Sequence, residues 1–235
     1  MVLGEGQVIL TAHQGQYLPW LGLFAKIAQA DLFCLLDTVQ YERKSFENRN
    51  WIKTQQGRLM LTVPVESTGH FEKTGGEIRI VRTGWARKHL RSIELAYGKA
   101  PYFKDNFEGL KAILEYPYEK LVDLNRAILA FGLERFGIQT PFVMASNHAF
   151  VGHKSDLIID MCRKLDAGHY IFGALGEDYA DRDAFARAGI MIEFQNYQHP
   201  VYEQQWGQFV PNMSFVDCLF NCGPKAKEIF RGQAV

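Results

Sequence analysis

The chain of 235 residues has no excess of charge of either sign, since 26 Lys and Arg stand against 26 Asp and Glu. That balance removes the global electrostatic drive toward nucleic acid or an anionic membrane surface. It also lacks any apolar run of about 18 residues, the length a membrane-spanning helix requires. The opening Met1-Val2-Leu3-Gly4-Glu5-Gly6 has neither the basic start nor the apolar stretch of a secretory signal, so a cytoplasmic location is expected. Cysteine is scarce: Cys34, Cys162, Cys218 and Cys222 are too few for a disulfide scaffold, and their apolar neighbours suggest reduced, buried thiols. Cys218 and Cys222 have i, i+4 spacing without a second pair, and His148 and His153 straddle Gly152 without carboxylates at helical spacing. Neither pair has the pattern of a zinc site, and no metal is assigned. A P-loop, a Gly-x-Gly-x-x-Gly fingerprint and a Gly-x-Ser-x-Gly elbow are all absent, so the sequence identifies no cofactor and no serine nucleophile.

What is present is an ordinary globular composition, 47% hydrophobic and 22% charged, long enough to bury a real core. Gln7 to Ala12 and Leu32 to Leu36 are apolar runs without polar alternation, the pattern of central parallel strands covered on both faces. Between them Pro19 starts a helix with Trp20, Leu23, Phe24 and Ile27 at helical spacing, which completes a βαβ unit. Asp37 to Arg58 is polar and irregular, with basic residues and Tyr41, Phe46 and Trp51 interleaved. Leu59 to Val65 and Glu77 to Val81 suggest two strands joined by the Gly-rich stretch Ser67 to Gly76. Trp85 to Tyr97, Phe103 to Leu114 and Tyr118 to Phe136 form a helical block, after which strands at Pro141 to Ala145, Tyr170 to Phe172 and Ile190 to Gln195 alternate with helices over Ser155 to Leu165 and Asp181 to Ala188. The expected class is α/β, an open, mostly parallel, Rossmann-like sheet with a helical block and a small β insertion. The expected organisation is one domain over 1–235, with 59–136 as the insertion.

Ligands of an open parallel sheet bind beyond the carboxyl ends of its strands, where loops and helix N-termini converge. His13 stands at the first strand end, placed to hydrogen-bond an anionic oxygen or transfer a proton near neutral pH, or to serve only the loop's structure. Gln14 and Gln16 suit orientation of a polar substrate, with Tyr17 in the same loop. Asp37 at the second strand end either binds a cation or substrate hydroxyl or caps the turn after it, and Gln40 follows it. The run Arg43, Lys44, Asn48, Arg49 and Asn50 carries the densest set of anion contacts, against the alternative of a solvated basic loop. Gly173 ends a later strand and delivers Glu177 and Asp178 to the sheet edge, where they either bind or offset a helix dipole. His13 and Asp37 are the candidate catalytic residues, and the others named here are candidate substrate contacts.

His13-Gln14 with Tyr17-Leu18-Pro19-Trp20-Leu21-Gly22, Phe24-x-Lys26-Ile27, Ala30-Asp31, Leu36-Asp37-x-Val39-Gln40-Tyr41 and Asn48-Arg49-Asn50 together resemble the WbqC-like family. Trp85 with Lys88-His89, Tyr97 with Pro101-Tyr102-Phe103, Tyr170-x-x-Gly173, and Phe209-x-Pro211-x-Met213-Ser214-x-x-Asp217-x-Leu219-Phe220-Asn221 extend the likeness to about Gly223. Gly15 departs from it, standing where Pro is expected after the opening His-Gln. The resemblance implies a bacterial protein of surface-polysaccharide or O-antigen biosynthesis, acting on a cytoplasmic glycan precursor before export. The order of a His loop, helix, apolar strand and late Met-Ser segment is also similar to nucleotidylyltransferase-type sheets. The second His of the usual His-x-x-His pair is missing, with Trp20 near where a polar donor is expected, so the cofactor stays open. The function expected is a transferase-type enzyme acting on an activated sugar or glycan precursor, or else a non-catalytic scaffold of a biosynthetic complex. The expected partner is a small molecule or glycan precursor rather than nucleic acid, with the oligomeric state unassigned.

Overall fold

The computed structural model describes residues 7–66 and 68–231, with the side chains of residues 70, 230 and 231 excepted. The opening Met1 to Gly6 and Ser67 of the Gly-rich stretch lie outside the described residues. The first half of the chain forms β1 (Val8–His13), α1 (Leu21–Ala28), β2 (Leu32–Leu35), β3 (Arg49–Thr54), β4 (Gly57–Thr62), α2 (Trp85–Tyr97), α3 (Phe103–Glu115) and α4 (Leu121–Phe136). The second half forms β5 (Phe142–Met144), α5 (Ser155–Lys164), β6 (Ala167–Phe172), α6 (Arg182–Arg187), β7 (Met191–Phe194), α7 (Phe215–Cys222) and α8 (Ala226–Arg231).

Five strands make one sheet in the order β5-β2-β1-β6-β7, and every pairing in it is parallel. The absence of polar alternation in β1 and β2 follows from burial on both faces. Phe33 and Leu35 of β2 enter one apolar cluster with α1, α2, α3, α4 and α7, while Cys34 between them enters another with Leu10, Ala12, Tyr170, Phe172, α5 and α6. Because β1 lies between β2 and β6, the chain leaves it in one direction through α1 and returns on the other side at β6. This reversal opens a crevice at the carboxyl ends of β1 and β6, where parallel-sheet proteins place their ligands.

The expected α/β class with a parallel sheet and helical block is what the chain adopts. One pairing differs. Leu59 to Val65 and Glu77 to Val81 were expected as two strands joined by the Gly-rich stretch, but β4 pairs antiparallel with β3, which belongs to the stretch read as irregular. Thr54 Oγ1 donates to the Gly57 carbonyl at 2.9 Å and Gly57 takes φ +101°, a tight turn that sequence proximity favours over a long connection. Glu77 to Val81 forms no strand and is joined to the end of the first segment by the single bridge Val65 to Ile80. Helix α1 starts at Leu21 rather than Pro19 because Trp20 forms a bridge with Ser214.

The late Met213 to Asn221 segment builds α7 within the core. Asp217 on it is fully buried and accepts from Tyr97 Oη, Tyr202 Oη and Gln204 Nε2, each at 2.9 Å. Tyr97 Oη in turn accepts from the Lys53 backbone N–H at 2.9 Å, which joins α2, α7 and β3 through one polar node. Three donors thus satisfy a carboxylate that burial alone would disfavour.

Helix α4 approaches α1 closely at Gly132, where an added Cβ would lie 2.4 Å from Phe24 Cζ. Phe24 is fully buried and wedged between the rings of Phe136 and Phe215 at 5.0 and 5.2 Å. Gly132→Ala is expected to lower the unfolding free energy by about 1–3 kcal/mol through overpacking. Urea denaturation checks this, and an unchanged midpoint would refute the close approach.

Candidate functional site

A cleft of about 750 Å³ opens at the crevice between β1 and β6. Its floor and walls come from strand ends and the segments after them: His13, Gln14 and Gln16 after β1, Leu36 after β2, Gly173 to Gly176 after β6, and Gln195 and Tyr197 after β7. Glu42, Ser45, Phe46 and Glu47 close one side. That wall is fixed by the Tyr17 N–H donating to the Phe46 carbonyl at 3.0 Å and by Asn125 Nδ2 of α4 donating to the Glu47 carbonyl at 2.8 Å. Gly15 allows Asn125 to come this near, since a Cβ there would stand 3.2 Å from the Asn125 Cβ.

Lys26 is the residue that sequence reasoning passed over. Helix α1 reads Leu-Gly-Leu-Phe-Ala-Lys-Ile-Ala, with Leu21 through Ile27 all buried. An all-round apolar helix sits between layers rather than on a surface, so its one charge is carried inside. Lys26 is 3% exposed, lines the cleft, and donates through Nζ to the Ala12 carbonyl near the end of β1 at 3.0 Å. No carboxylate makes an ion pair with it among the described residues. Burial without a counter-charge disfavours the ammonium and lowers its pKa from 10.5 to about 7.

His13 stands next to this amine. Burial first, and then the charge of Lys26, lower its pKa to about 4, so the ring is neutral near pH 7. Its Nδ1 lies 2.9 Å from the Gln14 carbonyl, which can only accept. The proton is therefore on Nδ1, and Nε2 is left as an acceptor. Glu47 is buried as well, and desolvation raises its carboxyl to about 7 against the lowering effect of the Glu42 N–H and Ser45 hydroxyl. Two polar atoms of the cleft, Gln16 Oε1 and Tyr197 Oη, are buried without a hydrogen-bond partner among the described residues. Gln195 by contrast is engaged, donating to the Gly22 carbonyl at 2.9 Å.

Of the expected site residues, His13, Gln14, Gln16 and Gly173 come together in this cleft. Tyr17 is buried beside it with its hydroxyl 2.8 Å from His89 Nδ1. Asp37 Oδ1 accepts from the Ser146 N–H at 2.8 Å, in the turn after β5 rather than in the turn that follows Asp37 itself. Gln40 donates to the Phe71 carbonyl at 2.9 Å, and buried Asn50 donates to the Leu18 carbonyl at 2.7 Å. Glu177 pairs with Arg182 at 3.0 Å on the surface, and Asp178 is exposed at the end of the turn Ala174–Asp178. Arg43, Lys44, Asn48 and Arg49 line a separate, smaller cavity. The loop thus sends alternate groups of side chains to opposite sides, a division that no spacing rule for a loop could supply. Glu47, Gln195 and Tyr197 were also missed; Lys26 alone gave a signal, as the one charge in an apolar helix.

A profile of the WbqC-like protein family matches residues 14–229. The chain is similar to uncharacterized protein Rv1507c of Mycobacterium tuberculosis, with 34% identity over 220 residues, 93% of this chain and 95% of that protein. No solved structure matches the chain significantly.

The depressed Lys26 pKa makes stability depend on pH with a defined sign. Between about 7 and 10.5 the unfolded chain holds a proton on Lys26 that the folded chain has released, so stability rises with pH. Relative to Lys26→Met, the wild type should gain up to about 1.4 kcal/mol per pH unit above pH 7, measured by denaturant titrations at several pH values. Parallel pH profiles for the two proteins would contradict the burial of an unpaired amine.

Proposed function

The chain belongs to the WbqC-like protein family, and from that premise we propose that it is a group-transfer enzyme acting in the β1/β6 cleft on an activated sugar or glycan precursor. The observation that carries this reading is the buried, unpaired Lys26 amine lining a cavity of about 750 Å³. An amine with a pKa of about 7 is divided between its base and acid forms at neutral pH, which is the condition for efficient general-base catalysis.

In this reading Lys26 Nζ takes the proton from an attacking hydroxyl or amine of the acceptor, whose oxygen or nitrogen bonds to the transferred group as the donor's activating group departs with the electron pair of the broken bond. His13 Nε2, unprotonated because Nδ1 serves the Gln14 carbonyl, accepts a hydrogen bond from a neighbouring hydroxyl of the acceptor and so orients it, the attacking hydroxyl having only the one proton that Lys26 takes. Gln16 Oε1 and Tyr197 Oη supply an acceptor and a hydroxyl left open by the protein itself. Trp20, Phe46, Tyr170, Phe172 and Tyr179 line the same space. Aromatic faces beside isolated polar groups suit the C–H faces and hydroxyls of a sugar. The resemblance to a family associated with surface-polysaccharide biosynthesis supports the same substrate class. A scaffold role would favour one exposed aromatic patch, whereas Tyr41 is buried, Trp51 half-buried and Phe46 exposed.

A thermal-shift panel of nucleotide sugars and acyl donors is the entry to substrate identity, because a ligand of the native state raises apparent stability. With the responding ligand as substrate, Lys26→Met should lower kcat by roughly 100-fold or more. The wild-type kcat should rise with pH to a plateau, with an apparent pKa near 7. Full turnover in Lys26→Met would remove the general-base assignment.

A further inference from the structure

The wall of the cleft has a second side. While Glu42, Ser45, Phe46 and Glu47 face the cleft, Arg43, Lys44, Asn48 and Arg49 line another cavity of about 240 Å³, completed by Tyr41 and by Thr62 to Val65 at the end of β4. Three cations therefore converge on one small space. Among the described residues none of the three makes an ion pair. Like charges held together without an ion-pair partner repel one another, and an anion between them relieves that repulsion.

Arg43 and Lys44 are exposed and Arg49 half-buried, while the backbone and buried residues that form the cavity beneath them are held by specific bonds. The Arg49 guanidinium donates to the Lys44 carbonyl, and Lys44 takes φ +66°, so the basic turn is fastened to its own strand. Asn48 is buried and locked to Val63 in both directions, Nδ2 donating to the Val63 carbonyl at 2.9 Å and the Asn48 carbonyl accepting from the Val63 N–H at 2.7 Å. The Tyr41 ring is buried with its backbone N–H bonded to the Lys73 carbonyl at 3.0 Å. Its hydroxyl has no hydrogen-bond partner among the described residues. Arg43 and Arg49 both act on that hydroxyl electrostatically, opposing the rise that burial and Glu47 impose on its pKa.

We propose that this cavity binds the phosphoryl or diphosphoryl group of a small-molecule ligand, with Arg43, Lys44 and Arg49 as charge partners and the Tyr41 hydroxyl as a neutral donor. Arg matches phosphate geometry with paired N–H groups, and Lys adds a point charge. At about 240 Å³ the space suits a phosphate head group, being below the ~300 Å³ at which pockets for whole drug-sized ligands begin. The assignment does not rest on the general-base reading of Lys26, since the two cavities share no lining residue.

Calorimetric titration at low ionic strength with inorganic phosphate, methyl phosphate and pyrophosphate tests it, on variants whose folding is confirmed by circular dichroism. Wild type and Lys26→Met should bind pyrophosphate alike, and binding should weaken with added salt. Arg43→Gln, which leaves the Arg49 to Lys44 bond in place, should weaken binding about tenfold, the scale of one charge-assisted contact. Arg43→Gln with Tyr41→Phe should weaken it further. Preference for methyl phosphate over pyrophosphate would assign a monoester group, and the reverse a diphosphate. Absence of binding of all three probes by wild type would overturn the proposal, as would binding that survives in Arg43→Gln but is lost in Lys26→Met, which would put the anion in the cleft.

Discussion

The hydrogen bond from Lys26 Nζ to the Ala12 carbonyl is the constraint around which the site is arranged. It ties the last turn of α1 to the carboxyl end of β1, at the point where the chain order reverses across the sheet. Every other residue from Leu21 to Ile27 is buried and apolar or small, so nothing on the helix offsets a charge there and the neutral amine is favoured. Gly22 lets the Trp20 ring lie against the helix, where a Cβ would meet it at 2.4 Å, and Gly132 lets α4 close over Phe24. The same dry packing that fixes the helix keeps water from Lys26, and the lost hydration shifts its proton equilibrium. Packing and chemistry are thus one feature: the close helix contacts that stabilise the fold also set the protonation state of the cleft.

Around that amine the polar groups divide into satisfied and open ones. Asp217, Asn48, Asn50, Asn125 Nδ2 and Gln195 spend their hydrogen bonds on the protein and hold loops in register. Gln16 Oε1 and Tyr197 Oη spend none. Buried polar atoms without partners are uncommon because each costs about 1–3 kcal/mol. Two of them stand in a cleft that already contains a neutral histidine and a lysine divided between its charged and neutral forms near pH 7, a surface that suits a hydroxyl-rich ligand. The loop of residues 42–49 then acts as a partition, with a carboxyl that burial raises to about 7 on the cleft side and three cations on the other.

The fold was legible where periodicity and burial agree. Trp85 to Tyr97 was expected as a helix with the bounds it has, and the first βαβ unit followed from two apolar runs around a helical pattern. The β3 strand was not legible, because Arg-Asn-Trp-Ile-Lys-Thr alternates with polar residues that are themselves buried: Asn50 and Lys53 lie inside, held by Leu18 and Gln208 carbonyls. The site was legible to the extent that strand-end rules reach, which brought His13, Gln14, Gln16 and Gly173 together. It was not legible where a contact depends on the direction a side chain takes from a loop, as for Glu47 against Asn48, or on a segment far along the chain, as for Tyr197. Lys26 stood within the quoted family pattern and carried no assigned role, since helical spacing marks which residues are inside without saying what a charge among them does.

The most direct test is the proton equilibrium of Lys26 itself, followed by NMR through the ε-methylene signal of isotopically labelled lysine and assigned by its loss in Lys26→Met. A titration midpoint near 7 is what the buried, unpaired amine predicts. A midpoint near 10.5, the ordinary lysine value, would mean that water or a counter-charge reaches the group, and would contradict the account of the cleft.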